Sequence, residues 1–136
     1  MVSEYLQVLQ LLLAGVLGAA IGIQRESLGS AAGFRTHVIV ATAAALFTMA
    51  SEVMDPASPG RVAANIVVGI GFLGAGMIMR ESDKSVHGLT SAASVWAVAA
   101  IGLAVAIQLY IAAIALSLLI LAVPYIPHRH MHKTER

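Results

Sequence analysis

Long apolar runs broken by short polar clusters organise this sequence. Apolar residues fill Tyr5 to Ile23, Val38 to about Val53 and Val62 to Met79. Each run is close to the roughly 20 residues that a helix needs to cross about 30 Å of hydrocarbon, so each is predicted as a membrane span. The second and third are slightly short, which tilt or local thinning accommodates. The stretch from Leu89 to Val123 holds 35 residues without a formal charge. As one helix it would reach about 52 Å, too far for a single crossing. A reversal at Ala106 to Leu109, marked by Gln108, divides it in two and predicts five spans.

Composition supports the bilayer as solvent: 59% of residues are hydrophobic and only 11% charged, too few to give each helix a polar face. The opening MVSEYLQ carries Glu4 and no Lys or Arg, unlike the basic start of a secretory signal, so the first run is expected to remain as a span. Charge placement then orients the chain. With five spans, Arg25, Arg35, Arg80, Lys84, Arg129, Lys133 and Arg136 share one side and Arg61 alone lies on the other, whereas four spans divide the basic residues evenly. By the positive-inside rule the expected fold is all-α, a polytopic membrane helical bundle of five transmembrane helices with the N-terminus outside and the C-terminus cytoplasmic. Residues 1–126 form the membrane domain and 127–136 a short basic, His-containing tail.

Glycines recur inside these runs, where each costs a helix about 1 kcal/mol relative to alanine in water. Lipid tails are as apolar as leucine, so membrane helices associate through close packing and interhelical hydrogen bonds, and small residues let backbones approach. Gly15, Gly18 and Gly22 form one stripe on the first span. On the third, Gly69 and Gly76 lie about 20° apart with Asn65 beside them, and Gly71 and Gly74 lie on the opposite face. Two thin faces predict a third span sandwiched between neighbours. A helix broken at its glycines is the alternative, disfavoured because the run holds no proline.

Polar residues gather in three blocks: QRE at 24–26, GFRTH at 33–37 and SVHGLTSAASVW at 85–96. Five packed helices bring them to one cytoplasmic vestibule lined by Arg25, Glu26, Arg35, Thr36, His37, Arg80, Glu81, Thr90 and Ser91. A charge near hydrocarbon needs a partner, which makes Arg35 and Glu26 an expected ion pair. His37 is either an interfacial hydrogen-bonding residue or a proton or anion contact. Asn65 is a deep amide. Glu52 and Asp55 sit in a solvated acidic loop beside Arg61, and His128, His130 and His132 belong to a basic tail drawn to anionic lipid.

Other chemistry is thin. The chain has no cysteine, its net charge of +1 gives nucleic acid no electrostatic foothold, and no metal, catalytic group or cofactor is expected. Gly69, Gly71 and Gly74 match G-x-G-x-x-G formally, but no strand precedes them and no acidic residue follows at the required distance.

Taken in order, GIQRE, AGFRTH, GIGFLGAGMI and HGLTSAASVWAVAAIGLA closely resemble the MgtC/SapB family of bacterial inner-membrane proteins over residues 21 to about 104. The resemblance implies a five-helix membrane domain, here without the soluble C-terminal regulatory module of longer members. It places Arg25, Glu26, Arg35, Thr36, Gly69, Gly71, Gly74, Gly76, Gly88, Leu89, Thr90 and Trp96 in signature blocks, with Ser91 where many members carry Thr. It also implies a link to growth at low magnesium and to survival inside host cells. The implied mode of action is modulation of other membrane proteins, with F-type ATP synthase among the possible partners.

The expected function is thus a non-enzymatic regulator acting through helix contacts with itself or another membrane protein. A Mg2+ or other ion transporter or channel is the rival, opposed by the absence of any acid deep in a span. A membrane enzyme acting on a lipid or phosphate substrate, held by Arg25 and Arg35, is the third class.

Overall fold

In the computed structural model, which describes residues 4–80 and 86–126, the polar blocks do not stop the helices but extend them. α1 runs Glu4–Ser27 and α2 runs Phe34–Met54, so QRE closes the first helix and FRTH opens the second. α3 is Gly60–Met77, continuous through all its glycines. A two-residue hairpin follows, β1 Met79–Arg80 and β2 Val86–His87, with Met79 opposite His87 and Arg80 opposite Val86. α4 is Leu89–Ala106 and α5 is Tyr110–Ala122, prolonged by a 3-10 turn over Val123–Tyr125. Four helices are long and apolar enough to cross a membrane, and α5 is a shorter apolar fifth.

The surface is the reverse of a soluble protein's. Phe72 and Ile111 are 86% and 87% exposed, with Leu12, Val16, Phe47 and Leu118 also on the outside. The interior holds Gln10, Arg25, His37, Thr48, Ser51, Ser91, Ser94 and Ser117. In lipid the apolar exterior costs nothing, while each interior polar group needs an internal partner. Thr48 and Ser117 find theirs by donating to the Ala44 and Ala113 carbonyls one turn back.

α2 and α4 form the centre of the bundle, with α1 laid along α2, α5 against α4, and α3 leaning on α4 from the side. Glycines make the central contacts intimate. A methyl at Gly18 would lie 2.7 Å from the His37 carbonyl oxygen, and one at Gly22 would lie 2.7 Å from the Phe34 Cα. Gly15 meets the Thr42 methyl, and Gly102 sits directly on the Ala41 carbonyl. Alanines at 41, 44 and 45, all buried, complete this thin face of α2.

α3 departs from its predicted role. Gly69, Gly71 and Gly76 have no neighbour within 4 Å, and Gly74 touches only Ala92. Gly74 is also the one buried residue of the helix. The two thin faces are therefore not sandwiched within this chain: Gly102, the glycine of α4, lies against the more central α2, and Ala99 lines an open cleft toward α3. Trp96, expected in the packing, is half exposed at the edge of a cleft between α3 and α4.

The predicted reversal between the last two helices is present, with a cause that no proline or glycine signals. Gln108 takes the left-handed conformation at φ 65°. Its N–H donates to the Val105 carbonyl at 3.1 Å and that of Leu109 to the Ala104 carbonyl at 2.8 Å, a Schellman ending with glutamine in the usual glycine position. From α1, Gln10 Nε2 then donates to the Val105 and Ala106 carbonyls at 2.9 and 3.0 Å. Fourteen residues on, Gln24 Nε2 donates to the Leu121 carbonyl at 2.8 Å, near the end of α5. At 100° per residue the two glutamines lie about 40° apart on α1, so one side of that helix secures the ends of two others.

Candidate functional site

The end of α1, the start of α2 and the start of α4 meet at one end of the bundle. α1 finishes on Gly29, whose φ of 71° suits glycine. Gly29 and Ser30 donate back to the Glu26 and Arg25 carbonyls, turning the chain sharply toward α2. α4 opens on Gly88 at φ 86°, where any side chain would strike the Met77 carbonyl. This close approach holds the first turn of α4 beneath the end of α3. No side chain caps that turn.

A continuous polar chain joins the three elements. His37, fully buried, lies 2.8 Å through Nδ1 from the Gly33 carbonyl and 3.1 Å through Nε2 from Ser94 Oγ. Ser94 Oγ also lies 2.8 Å from the Ser91 carbonyl, and Ser91 Oγ is 2.6 Å from Ser30 Oγ. A carbonyl only accepts, so Nδ1 carries a proton. In the neutral ring Nε2 is then an acceptor, and the single Ser94 hydroxyl proton serves either His37 or the Ser91 carbonyl. Both bonds form together only when the ring is doubly protonated.

Arg25 lies beside this chain, 7% exposed and within electrostatic reach of His37. Its Nε is sealed from solvent without a hydrogen-bond partner. Among the described residues the guanidinium makes no ion pair; the salt bridge formed there is Arg61 with Asp55 at 2.7 Å, across the loop after α2.

The expected vestibule therefore divides. Arg25, His37 and Ser91 turn inward, Thr36 is half-buried, and Glu26, Arg35 and Thr90 face outward. The expected Glu26–Arg35 ion pair is not made. Glu26 Oε2 instead accepts the Phe34 N–H at 2.8 Å, satisfying one of the free amides that open α2. Arg35 shares an open groove with Glu26, Ser27 and Phe34. Arg80 is placed only through its backbone in β1; its side chain, Glu81, Lys84 and the tail with His128, His130 and His132 lie outside the described residues. No cluster of His, Cys, Asp and Glu able to hold a metal occurs among the described residues.

Asn65 stands apart, exposed on α3 beside Gly69, where an apolar groove of about 410 Å³ runs between α2 and α3 past Val40, Phe47 and Ile66. Sequence reasoning missed Ser30, Gln10 and Gly102, and took Gln24 and Ser94 only as members of the polar blocks. Ser94 was accessible as the residue three beyond Ser91 on the same helical face. Gln10 offered no signal beyond being polar in an apolar run.

Apolar exterior, polar interior and a buried polar cluster around Arg25 at one end define a polytopic α-helical membrane protein. The chain belongs to the MgtC family, whose model matches residues 11–133. It is 48% identical to protein MgtC of Salmonella typhimurium LT2 over 114 residues, covering 84% of this chain and 49% of that relative. It is 37% identical over 119 residues to YhiD of Escherichia coli K12, named as a candidate magnesium transporter, covering 81% of this chain and 54% of YhiD. An uncharacterised Synechocystis protein, slr0014, is 39% identical over 136 residues, which cover 93% of this chain and 58% of that protein. The chain thus spans about half the length of the curated relatives it matches. No solved structure matches it significantly.

Proposed function

We propose that this chain is a non-enzymatic regulator in the bacterial inner membrane, with its N-terminus outside and its C-terminus cytoplasmic. It acts by docking helix α3 against another membrane helix, of a second copy or of a different protein, in magnesium homeostasis. The observation that carries the reading is the unused face of α3. Asn65, Gly69 and Gly76 lie exposed on one side of a helix that buries almost nothing within its own chain. A lone amide in hydrocarbon gains by meeting a hydrogen-bonding partner on a neighbouring helix, and glycines beside it let that helix come close. The name of the Escherichia relative supports the link to magnesium.

The same name raises direct transport. Mg2+ gives up its water reluctantly and needs carboxylates along its path. Among the described residues Glu4, Glu26, Glu52 and Asp55 all lie at helix ends or in the loop, and none is buried. The polar interior is built from amides, hydroxyls, one imidazole and one guanidinium, which favours regulation over conduction.

The chain has no cysteine, so Gly69→Cys introduces a single thiol for cross-linking in native membranes. The expected result is a covalent adduct at high yield, either a homodimer or a mixed species, that changes with magnesium supply. Phe72→Cys, about 60° round the helix on more exposed surface, is expected to cross-link much less. Equal yields at both positions, or saturable Mg2+ uptake into liposomes by the purified chain alone, would overturn the reading.

A further inference from the structure

The polar cluster at the end of α1 is incomplete in charge. A guanidinium does not lose its proton in proteins, so burial cannot neutralise Arg25 as it would a lysine or histidine. A charge in this position needs a counter-charge at contact distance. Among the described residues no neighbouring group supplies one. Glu26 points the other way and is committed to the Phe34 amide. Ser30, Ser91, Ser94 and His37 are neutral or cationic, and each is engaged in the hydrogen-bonded chain rather than with Arg25.

A second observation sits at the same place. The first intrahelical bond of α4 runs from the Ala92 N–H to the Gly88 carbonyl, and among the described residues no side chain caps the amides of Leu89, Thr90 and Ser91. These amides and the positive end of the helix dipole favour an anion. Ser30 ties the two halves, its N–H on the Arg25 carbonyl at 3.0 Å and its hydroxyl on Ser91 at 2.6 Å. A planar fork of donors, adjacent hydroxyls and an uncapped helix start suit a tetrahedral oxyanion better than a planar carboxylate, because its oxygens diverge to meet donors from different elements.

We propose that Arg25, with Ser91 and the first-turn amides of α4, binds a phosphate group. The site lies at the mouth of the bundle, level with the ends of three helices. A lipid phosphodiester and free inorganic phosphate offer it the same chemistry, and experiment separates the two.

The full chain, stripped of lipid and held in phosphate-free maltoside micelles, is titrated with inorganic phosphate by calorimetry. Parallel micelles contain phosphatidylglycerol, and native mass spectrometry counts the anionic lipid retained. The expected result is one anion per chain. Arg25→Gln lowers affinity at least tenfold, Arg25→Lys several-fold, and Arg35→Gln, on the open groove, less than twofold. Phosphate binding that phosphatidylglycerol does not displace identifies a free-anion site; retained phosphatidylglycerol that blocks the titration identifies a headgroup site. Should Arg25→Gln fail to fold, Arg25→Lys and Ser91→Val carry the test, and unchanged affinity in both overturns the proposal. So does wild-type protein that binds neither anion, or an Arg35→Gln loss equal to that at Arg25.

Discussion

Gly102→Ala is expected to destabilise the bundle by about 1–3 kcal/mol, the cost of forcing a methyl into a filled interior. The glycine lies on the Ala41 carbonyl, and an added Cβ would also come within 3.2 Å of the Ala44 Cβ. Backbone cannot swing aside as a long side chain does, so α2 and α4 must separate. These are the two helices at the centre of the fold, and the strain reaches α1 through the Gly18 and Gly22 contacts on α2. Gly69→Ala should behave oppositely. It meets open space and lies mid-helix, where alanine is the better helix former by up to about 1 kcal/mol. Unfolding of the purified chain in mixed micelles of rising denaturing-detergent fraction, followed by helical circular dichroism, measures both. Similar losses for the two variants would refute the assignment of glycine contacts to α2 and α4.

The second large effect belongs to a residue far from any site. Gln10→Leu is expected to cost about 1–3 kcal/mol, because it leaves the buried Ala106 carbonyl without a donor and the Val105 carbonyl with the Gln108 N–H alone. The Val105 and Ala106 carbonyls end α4, and Gln10 is buried at 2% exposure where water does not replace it. Leucine preserves volume and apolar contact, so the loss isolates the hydrogen bonds. The break between α4 and α5 should loosen as well, read as faster amide exchange at Leu109, whose N–H closes the turn, and at Ala113, whose N–H bonds the Leu109 carbonyl. A neutral Gln10→Leu with unchanged exchange would show that the turn stands on its own Schellman bonds.

Both expectations concern contacts that the linear pattern only half reveals. The stripe Gly15, Gly18, Gly22 reads correctly as a packing face because three small residues on one side of a helix leave no other means of burial. The glycines of α3 present the same pattern, and yet among the described residues only Gly74 meets a neighbour, Ala92. Periodicity identifies a thin face but says nothing of whether a neighbour is available to fill it. Gly102, a lone glycine without a partner at i+4, carries no pattern at all, and its role comes wholly from where α2 happens to cross.

The site divides in the same way. That Arg25, His37 and Ser91 belong to one end of the bundle follows from span counting and charge placement. Which of them turn inward does not, since Arg25 and Glu26 are adjacent and about 100° of helical rotation separates a buried cation from an exposed acid. Glu26 was a natural mate for Arg35 by charge, but a free amide at the start of α2 lies closer and needs a partner just as much.

By itself the sequence determined the helices, their number, the reversal near Gln108 and the gathering of polar groups at one end. These depend on hydrophobic length and charge position, which are properties of each segment alone. The tertiary structure decided which small faces are used, that two glutamines of α1 hold the ends of α4 and α5, and that Arg25 is buried without a carboxylate among the described residues. Those outcomes depend on how helices are rotated and crossed, and in a solvent as apolar as the side chains only the fit of one helix surface against another selects among the arrangements.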